Sequence, residues 1–194
     1  MSGFSTARQK MVDGQVRPSD VTDIRIIDAL LAVPREAFVP DNKRALAYLD
    51  LDLDVGDVGS AGRFLIKPAV LAKMLQAAEI KETDHVLVVG CASGYAAAVI
   101  AKFAGKVANT AAADGDPANA PFDVIVLNGA TEIVPEKLYR QLRDGGRLVG
   151  VFAMSQPARA TIVTHSHGDF GNRALFDAAA PVLSGMERLP AFVF

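Results

Sequence analysis

Short apolar runs alternate with segments of helical spacing between residues 85 and 152. The predicted order is strand 85–89, helix 95–101, strand 122–127, helix 135–143 and strand 147–152. The strands consist almost wholly of apolar residues, which is typical of strands that are covered on both faces. The pattern therefore predicts an α/β fold with a mostly parallel sheet and helices on both of its faces.

The first 80 residues follow a different pattern, in which helices dominate. We expect one helix from about 21 to 32, with Asp20 as its cap, and another from Pro68 to Ala78. Residues 49–55 alternate between apolar residues and aspartate, which predicts a strand with one acidic face. Carboxylates at every second position of a strand are more often solvated than bound to metal, so we assign no metal site.

The pattern changes again after residue 158. Strand-like stretches at 161–165, 173–176 and 191–194 are separated by Gly, Asn and Pro, and they suit antiparallel edge strands. We therefore expect a single domain over 1–194. It consists of an N-terminal helical region with a substrate loop in 1–80 and an α/β core in 81–194.

Composition and charge narrow the possible functions. The 194 residues are 51% apolar and carry a net charge of −2, so there is no basic surplus for nucleic acid or anionic lipid. The longest apolar runs fall well short of the roughly 18 residues of a membrane span. One cysteine rules out an internal disulfide, and the first residues have no secretion signature. We expect a cytoplasmic protein that binds neither nucleic acid nor membrane; its oligomeric state is not predicted.

The turn of small residues from Gly90 to Gly94 is the first candidate for a binding site. Such a turn between a parallel strand and a helix lets a ligand approach the backbone. It is not the dinucleotide fingerprint, because Ala92 takes the middle position and no third Gly follows at the required offset. A cofactor site and a close packing turn both remain open. Asn128 and Gly129 follow the next parallel strand at its carboxyl end, where open α/β sheets bind ligands.

Several motifs occur together in one order along the chain. They are Val33-Pro34-Arg35-Glu36-Ala37-Phe38-Val39-Pro40, Ala47-Tyr48-Leu49-Asp50, Val86 to Gly90 with Ser93-Gly94-Tyr95, Ala120 to Asp123, and Gln141 to Leu148. In this combination the chain resembles the protein-L-isoaspartate O-methyltransferase family up to about residue 153. The resemblance implies a Rossmann-like fold of the S-adenosylmethionine-dependent methyltransferases. It also implies esterification of the side-chain carboxylate of a damaged aspartyl residue in a peptide or protein.

The resemblance implies two groups of site residues and no catalytic side chain. S-adenosylmethionine would contact Gly90, Cys91, Ala92, Ser93, Gly94, Asn128 and Gly129, and the acceptor peptide would contact Arg63, Phe64, Leu65 and Ile66. A carboxylate with a pKa near 4 is already an anion at pH 7, so the acceptor needs no general base. Catalysis would come from alignment of the reacting atoms and exclusion of water.

Both candidate sites depart from the family pattern. In the acceptor loop, Phe64 replaces the family's Thr, and Ile66 replaces its Ser. In the cofactor turn, Val88 replaces an acid, and Ala92 replaces the second Gly. Two alternatives therefore stay open: a non-catalytic relative that acts by protein interaction, or a methyltransferase for a different carboxylate.

The chain is also short between Lys106 and Phe122. A fold of this family needs a second strand that bears an acid for the ribose, then a helix and a third strand, and residues 107–121 are too few to hold them. Ala111 takes the position of an acid near the adenine. We expect a segment to be absent near 107–110, either lost from the protein or omitted from the printed sequence between Val107 and Ala108.

Overall fold

The computed structural model describes residues 3–56, 63–91 and 93–189. Three helices form the N-terminal region: α1 (Gly3–Met11), α2 (Ile24–Ala32) and α3 (Pro68–Ala78). Helix α1 continues into a π-helical turn (Val12–Val16) and a 3-10 turn (Arg17–Ser19), and two more 3-10 turns follow α2 (Arg35–Phe38 and Asp41–Leu46). Two short antiparallel strands, β1 (Leu53–Asp54) and β2 (Phe64–Leu65), precede α3.

The start of α2 corrects the predicted cap. Asp23, not Asp20, is the N-cap, and its carboxylate accepts a hydrogen bond from the backbone N–H of Arg25. Asp20 instead has a left-handed backbone (φ 62°) and closes the preceding 3-10 turn. The helix therefore begins at Ile24, three residues later than the sequence pattern predicts.

The second region is a six-stranded sheet with two short helices. Its elements are β3 (His85–Val89), α4 (Tyr95–Ile100), β4 (Lys106–Thr110), β5 (Phe122–Thr131), α5 (Glu136–Tyr139), β6 (Leu142–Phe152), β7 (Arg159–Ser166) and β8 (Asp169–Asp177). The strand order is β4-β3-β5-β6-β7-β8. The first four strands in this order are parallel, and β7 and β8 are antiparallel to their neighbours. This confirms the mostly parallel sheet and the antiparallel strands expected after residue 158.

The strand β4 is the main difference from the sequence prediction. Residues 106–110 pair one to one with β3 from His85↔Lys106 to Val89↔Thr110. The stretch therefore holds a second strand, but not the helix and third strand that the family fold was expected to need there. The strand β4 lies at the edge of the sheet, and the 11 residues 111–121 then lead directly to β5.

The sheet separates two apolar cores because alternate residues of each strand face opposite sides. The larger core packs the N-terminal helices and α4 against Val86, Val88, Val124, Val126, Val149 and Val151. The smaller core contains Leu87, Val89, Ile125, Leu127 and Leu148. On that side the helix α5 contributes Leu138, and Met186 from the chain beyond β8 completes the cover.

Three predicted elements differ from the structure or lie outside it. The strand predicted at 49–55 is reduced to Leu53–Asp54. The helix predicted to reach Arg143 ends at Tyr139, because Leu142 already pairs with Phe122 and starts β6. The strand predicted at 191–194 lies outside the described residues. Among the helices that the structure does describe, none has both the length and the apolar character needed to cross a membrane.

Candidate functional site

A crevice lies at the carboxyl ends of β3 and β4, beside the point where the pairing of β5 with β3 ends at Leu127. The carboxyl edge of a parallel sheet is where open α/β sheets bind ligands. The cavity measures about 210 Å³. It is lined by Arg63, Phe64, Val89, Gly90, Ala111, Ala113, Asn128, Pro181, Val182, Leu183 and Ser184.

The turn after β3 forms the floor of this crevice. Gly90 has a φ of 79°, a conformation that favours glycine, and its N–H donates to the carbonyl of Thr110 at 2.9 Å. Gly94 has a φ of 84° and directly precedes α4. The Ser93 hydroxyl is buried without a hydrogen-bond partner in the described structure. Of this turn, Gly90 lines the crevice, whereas Ser93 and Gly94 are not among the lining residues.

Asn128 joins the two halves of the site. It lies within β5, one residue beyond the last position that pairs with β3, and 3% of its surface is exposed. Its side-chain amide nitrogen donates to the carbonyl oxygens of Phe64 and Gly90, at 3.2 Å in each case. One amide thus holds the acceptor strand β2 against the predicted cofactor turn.

Arg35 holds the acceptor strand from the opposite side. Its Nε donates to the carbonyl of Ala47 at 2.7 Å, and one of its terminal nitrogens donates to the carbonyl of Ile66 at 3.0 Å. The guanidinium also lies 4.8 Å from the centre of the Tyr95 ring, at the start of α4. Arg35 is 1% exposed, and burial lowers its pKa.

The predicted acceptor residues separate into two pairs. Arg63 and Phe64 line the crevice. Leu65 and Ile66 are 2% and 1% exposed and belong to the larger core. Only the first two of the four predicted residues can therefore reach an acceptor.

The predicted cofactor residues are also placed unequally. Gly90 and Asn128 line the crevice, and Gly129 lies beside it against the side chain of Leu183. Cys91 is buried, and burial raises the pKa of its thiol, which does not suit a nucleophile. Ala92 lies outside the described residues.

The sequence did not indicate the four residues from the chain beyond β8 that line the crevice. Pro181, Val182, Leu183 and Ser184 all line it, although they are far from both predicted sites in sequence. The Leu183 side chain lies against two glycines: a Cβ on Gly90 would be 2.3 Å from its Cδ2, and one on Gly129 would be 2.6 Å away. The stretch from Ala178 to Leu183 has no periodicity that would have revealed this.

S-adenosylmethionine, which the family resemblance implies, fits the turn but not all of the space around it. The main chain at Gly90 suits its amino-acid end. The cavity of about 210 Å³ is below the roughly 300–1,000 Å³ usual for ligand sites. Ala111 and Ala113 lie beyond β4, and the described lining contains no carboxylate for ribose hydroxyls. The turn can therefore hold the donor if the Leu183 side chain moves out of the space beside Gly90.

Residues 3–56, 63–91 and 93–189 also contain no cluster of three or more His, Cys, Asp or Glu side chains suited to a metal ion.

Comparison with protein families identifies one match. The model of "Protein-L-isoaspartate(D-aspartate) O-methyltransferase (PCMT)" matches residues 6–114 and 106–167. A protein-L-isoaspartate O-methyltransferase of Roseiflexus sp. (strain RS-1) is 36% identical over 173 residues, with 75% of this chain and 77% of that protein covered. One from Rhodopseudomonas palustris (strain ATCC BAA-98 / CGA009) is 34% identical over 206 residues, with 91% and 93% covered.

Two solved structures have the same fold. A protein-L-isoaspartate O-methyltransferase matches with a TM-score of 0.79 and 21% identity, over 92% of this chain and 66% of that chain. A Plasmodium falciparum structure, described as a beta-aspartate methyltransferase in complex with S-adenosyl-L-homocysteine, matches with a TM-score of 0.72 and 15% identity, over 95% and 99%. At these identities the likeness establishes the fold, a Rossmann-like methyltransferase fold.

The relatives are longer than this chain within the matched region. The 173 aligned positions of the Roseiflexus relative correspond to 75% of this chain, about 146 residues, so about 27 positions of the relative face gaps. The two family matches overlap at residues 106–114, around β4. About 27 residues are enough for one helix and one strand.

Proposed function

The chain belongs to the protein-L-isoaspartate(D-aspartate) O-methyltransferase family, and from this premise we propose that it methylates damaged aspartyl residues. The donor is S-adenosylmethionine, and the acceptor is the side-chain carboxylate of an isoaspartyl residue in a peptide or protein. Family membership supports the reaction. The observation that carries the site is the Asn128 amide, which bonds the acceptor strand and the donor turn at once.

The chain's own residues have three tasks in this reaction. The main chain at Gly90 and Gly94, with Ser93 and Asn128, would hold the donor, which supplies an electrophilic methyl group on a sulfonium. Arg63, whose side chain is exposed at the crevice, is suited to pair with the acceptor carboxylate. Phe64, Val182 and Leu183 are apolar and keep water from the crevice.

No proton transfer is needed before methyl transfer. The acceptor carboxylate is ionised at pH 7 and attacks as it is. This agrees with a crevice lined by no Asp, Glu or His among the described residues. Rate enhancement then depends on how accurately the two halves of the site are aligned.

The departure at Phe64 favours a second candidate acceptor. Phe64 lines the crevice where the family pattern has a threonine, so the pocket loses a hydroxyl and gains apolar surface. Each lost hydrogen bond is worth about 0.5–1.5 kcal/mol to a polar acceptor. A small apolar carboxylic acid is therefore the alternative substrate.

We also assign the protein to the cytoplasm, because its one cysteine, Cys91, is free and buried and suits a reducing compartment.

The experiment is a pair of measurements on the purified chain. Calorimetric titration with S-adenosylhomocysteine tests the donor site, and transfer of a labelled methyl group tests the acceptor. The expected result is methylation of a peptide with one isoaspartyl residue and none of the same peptide with aspartate. Absence of S-adenosylhomocysteine binding would refute the proposal. Binding with transfer only to small carboxylates would replace the peptide acceptor by the second candidate.

A matched pair of variants tests the role of Arg63. Arg63→Gln should raise the KM for the isoaspartyl peptide and leave S-adenosylhomocysteine affinity unchanged, because the arginine is assigned to the acceptor. Arg140→Gln changes an exposed arginine at the C-terminal end of α5, outside the crevice lining, and should alter neither quantity.

A further inference from the structure

The chain beyond β8 returns across the site as a strap of six residues, 181–186. The backbone N–H of Ala130 donates to the carbonyl of Pro181 at 2.8 Å, and the N–H of Leu183 donates to the carbonyl of Ala130 at 2.9 Å. Further along, the N–H of Glu132 donates to the carbonyl of Met186 at 2.9 Å. Three hydrogen bonds thus fix the main chain of the strap to the end of β5.

The side chain of Leu183 projects from this strap onto the two glycines of the site. All three nearest atoms to a Cβ on Gly90 belong to Leu183, at 2.3, 3.0 and 3.2 Å. Two of the three nearest to a Cβ on Gly129 also belong to it, at 2.6 and 2.8 Å. The closest approach to the Gly90 main chain, which glycine makes possible, is therefore taken by a residue of the protein itself.

The same contact accounts for the small volume of the crevice. A ligand that rests on the Gly90 main chain would need the space that the Leu183 methyl groups now fill. The main chain of the strap is held by β5, but the leucine side chain can change rotamer without breaking those hydrogen bonds. Rotation of this one side chain would remove all three of the atoms nearest to a Cβ on Gly90, whereas the Pro181 carbonyl oxygen would stay beside Gly129.

We propose that Leu183 sets the affinity for the methyl donor, by occupying the Gly90 turn until the donor displaces its side chain. This inference rests on the proposed function, because it concerns the same site. The donor and the leucine side chain compete for one space, so part of the donor's binding energy is spent on turning the side chain away.

The test compares S-adenosylhomocysteine binding by the parent chain and three variants. Leu183→Ala removes the competing methyl groups and should bind about threefold to tenfold more tightly, which corresponds to a cost of about 0.6–1.4 kcal/mol for turning the leucine side chain away. Leu183→Phe should bind more weakly. Leu189→Ala is the matched control, because Leu189 follows the strap and is 86% exposed, and its affinity should not change.

A second measurement on the parent chain does not depend on how the variants fold. With leucine methyl groups labelled for NMR, the Leu183 signals are assigned by their loss in Leu183→Ala or Leu183→Phe, whichever folds. They should shift on addition of S-adenosylhomocysteine. Methyl signals that stay in place at saturation would overturn the proposal, as would equal or weaker binding by Leu183→Ala.

The outcomes separate this inference from the proposed function. Parent binding that Leu183→Ala does not improve refutes the role of Leu183 and leaves the methyltransferase assignment standing. If neither the parent nor Leu183→Ala binds S-adenosylhomocysteine, the proposed function fails and this inference fails with it.

Discussion

The acceptor side and the donor side of the crevice are built in opposite ways. The acceptor strand β2 is held from behind by a buried arginine, which bonds two carbonyls and lies on an aromatic ring. On the donor side, the side chain of Leu183 covers the main chain of the turn at Gly90. Ala111 and Ala113 line the crevice beyond that turn. Many strong contacts thus fix the acceptor side, whereas access to the donor side depends on a single side chain.

A second polar network strengthens the acceptor side. Arg8 on α1 bonds Tyr48 at 2.9 Å and forms an ion pair with Glu36 at 3.1 Å, and Tyr48 donates to Glu36. Burial, followed by the bond to Glu36, raises the pKa of Tyr48 to about 12, so the phenol stays protonated. This network ties α1 to the two 3-10 turns around Arg35. We therefore expect mutations on the acceptor side to affect stability, and mutations at the donor turn to affect ligand binding.

The largest expected effect is on stability, from Arg35→Met. The change leaves the carbonyls of Ala47 and Ile66 buried without their donors, at about 1–3 kcal/mol each, and relief from burying a charge offsets part of this loss. We expect the free energy of unfolding in urea to fall by about 3 kcal/mol. Arg140→Met, at an exposed ion pair, should change it by less than about 0.5 kcal/mol.

The same variant also tests whether the two sides are separable. Arg35→Met should bind S-adenosylhomocysteine with the affinity of the parent under conditions in which it is folded. A loss of donor affinity in the folded variant would show that Arg35, through the Tyr95 ring, supports the donor turn as well. A change in stability of under about 1 kcal/mol would contradict the role of its two hydrogen bonds.

The next effect is catalytic and comes from Asn128→Ala. Without the amide, no hydrogen bond links the acceptor strand at Phe64 to the donor turn at Gly90 through residue 128. Misplacement of reacting groups by about 1 Å can cost a factor of about 100 in rate. We expect kcat for the isoaspartyl peptide to fall by a factor of about 10 to 100. The affinity for S-adenosylhomocysteine should change much less, because the main chain at Gly90 remains.

A suitable control for this variant is Asn172→Ala, since Asn172 is an exposed residue of β8. Thermal unfolding of both variants establishes that they are folded at the assay temperature. A kcat equal to that of the parent would mean that the two carbonyls keep their places without the amide. The donor and acceptor sides would then be aligned by the folds of their own segments.

Much of the sheet could be predicted from the sequence, because its strands are short apolar runs with their own local signal. His85 to Val89 and Phe122 to Leu127 are marked as strands by their own apolar residues. By contrast, β4 reads Lys-Val-Ala-Asn-Thr, which has little apolar character, and its extended form depends on pairing with β3. Because the strand depends on its neighbour, the sequence indicated that the region is short but did not indicate that it contains β4.

Only two parts of the site could be predicted from the sequence: the turn of main chain at Gly90 and the residue that follows the predicted strand 122–127. The turn at Gly90 is marked by glycines, and Asn128 is marked by its place at the end of a parallel strand. Arg35 could be located only as part of a family motif, because its partners lie 12 and 31 residues away in sequence. Leu183 reaches the turn through hydrogen bonds to Ala130, some 50 residues earlier, and no local pattern encodes such a contact.

The smallest expected effect concerns charge on the acceptor side. Asp52 accepts a hydrogen bond from the backbone N–H of Lys67 at 2.9 Å, and burial raises the pKa of its carboxyl group. Because the folded pKa lies above the unfolded value of about 4, protonated Asp52 favours the folded state, and this contribution is lost as pH rises through the folded pKa. An uncharged residue should avoid that loss.

We therefore expect Asp52→Asn to match the parent near pH 3.5 and to be more stable at pH 7. The gain should be under about 1 kcal/mol, because the carboxylate is partly screened by solvent, and the asparagine oxygen still accepts from Lys67. Urea unfolding across this pH range measures it, with Asp169→Asn at an exposed position of β8 as the control. Lower stability of Asp52→Asn at pH 7 would mean that the attraction of Asp52 to the charges of Lys67 and Arg35 outweighs the cost of burial. The acceptor side would then hold a balanced set of charges, which would widen its contrast with the uncharged donor turn.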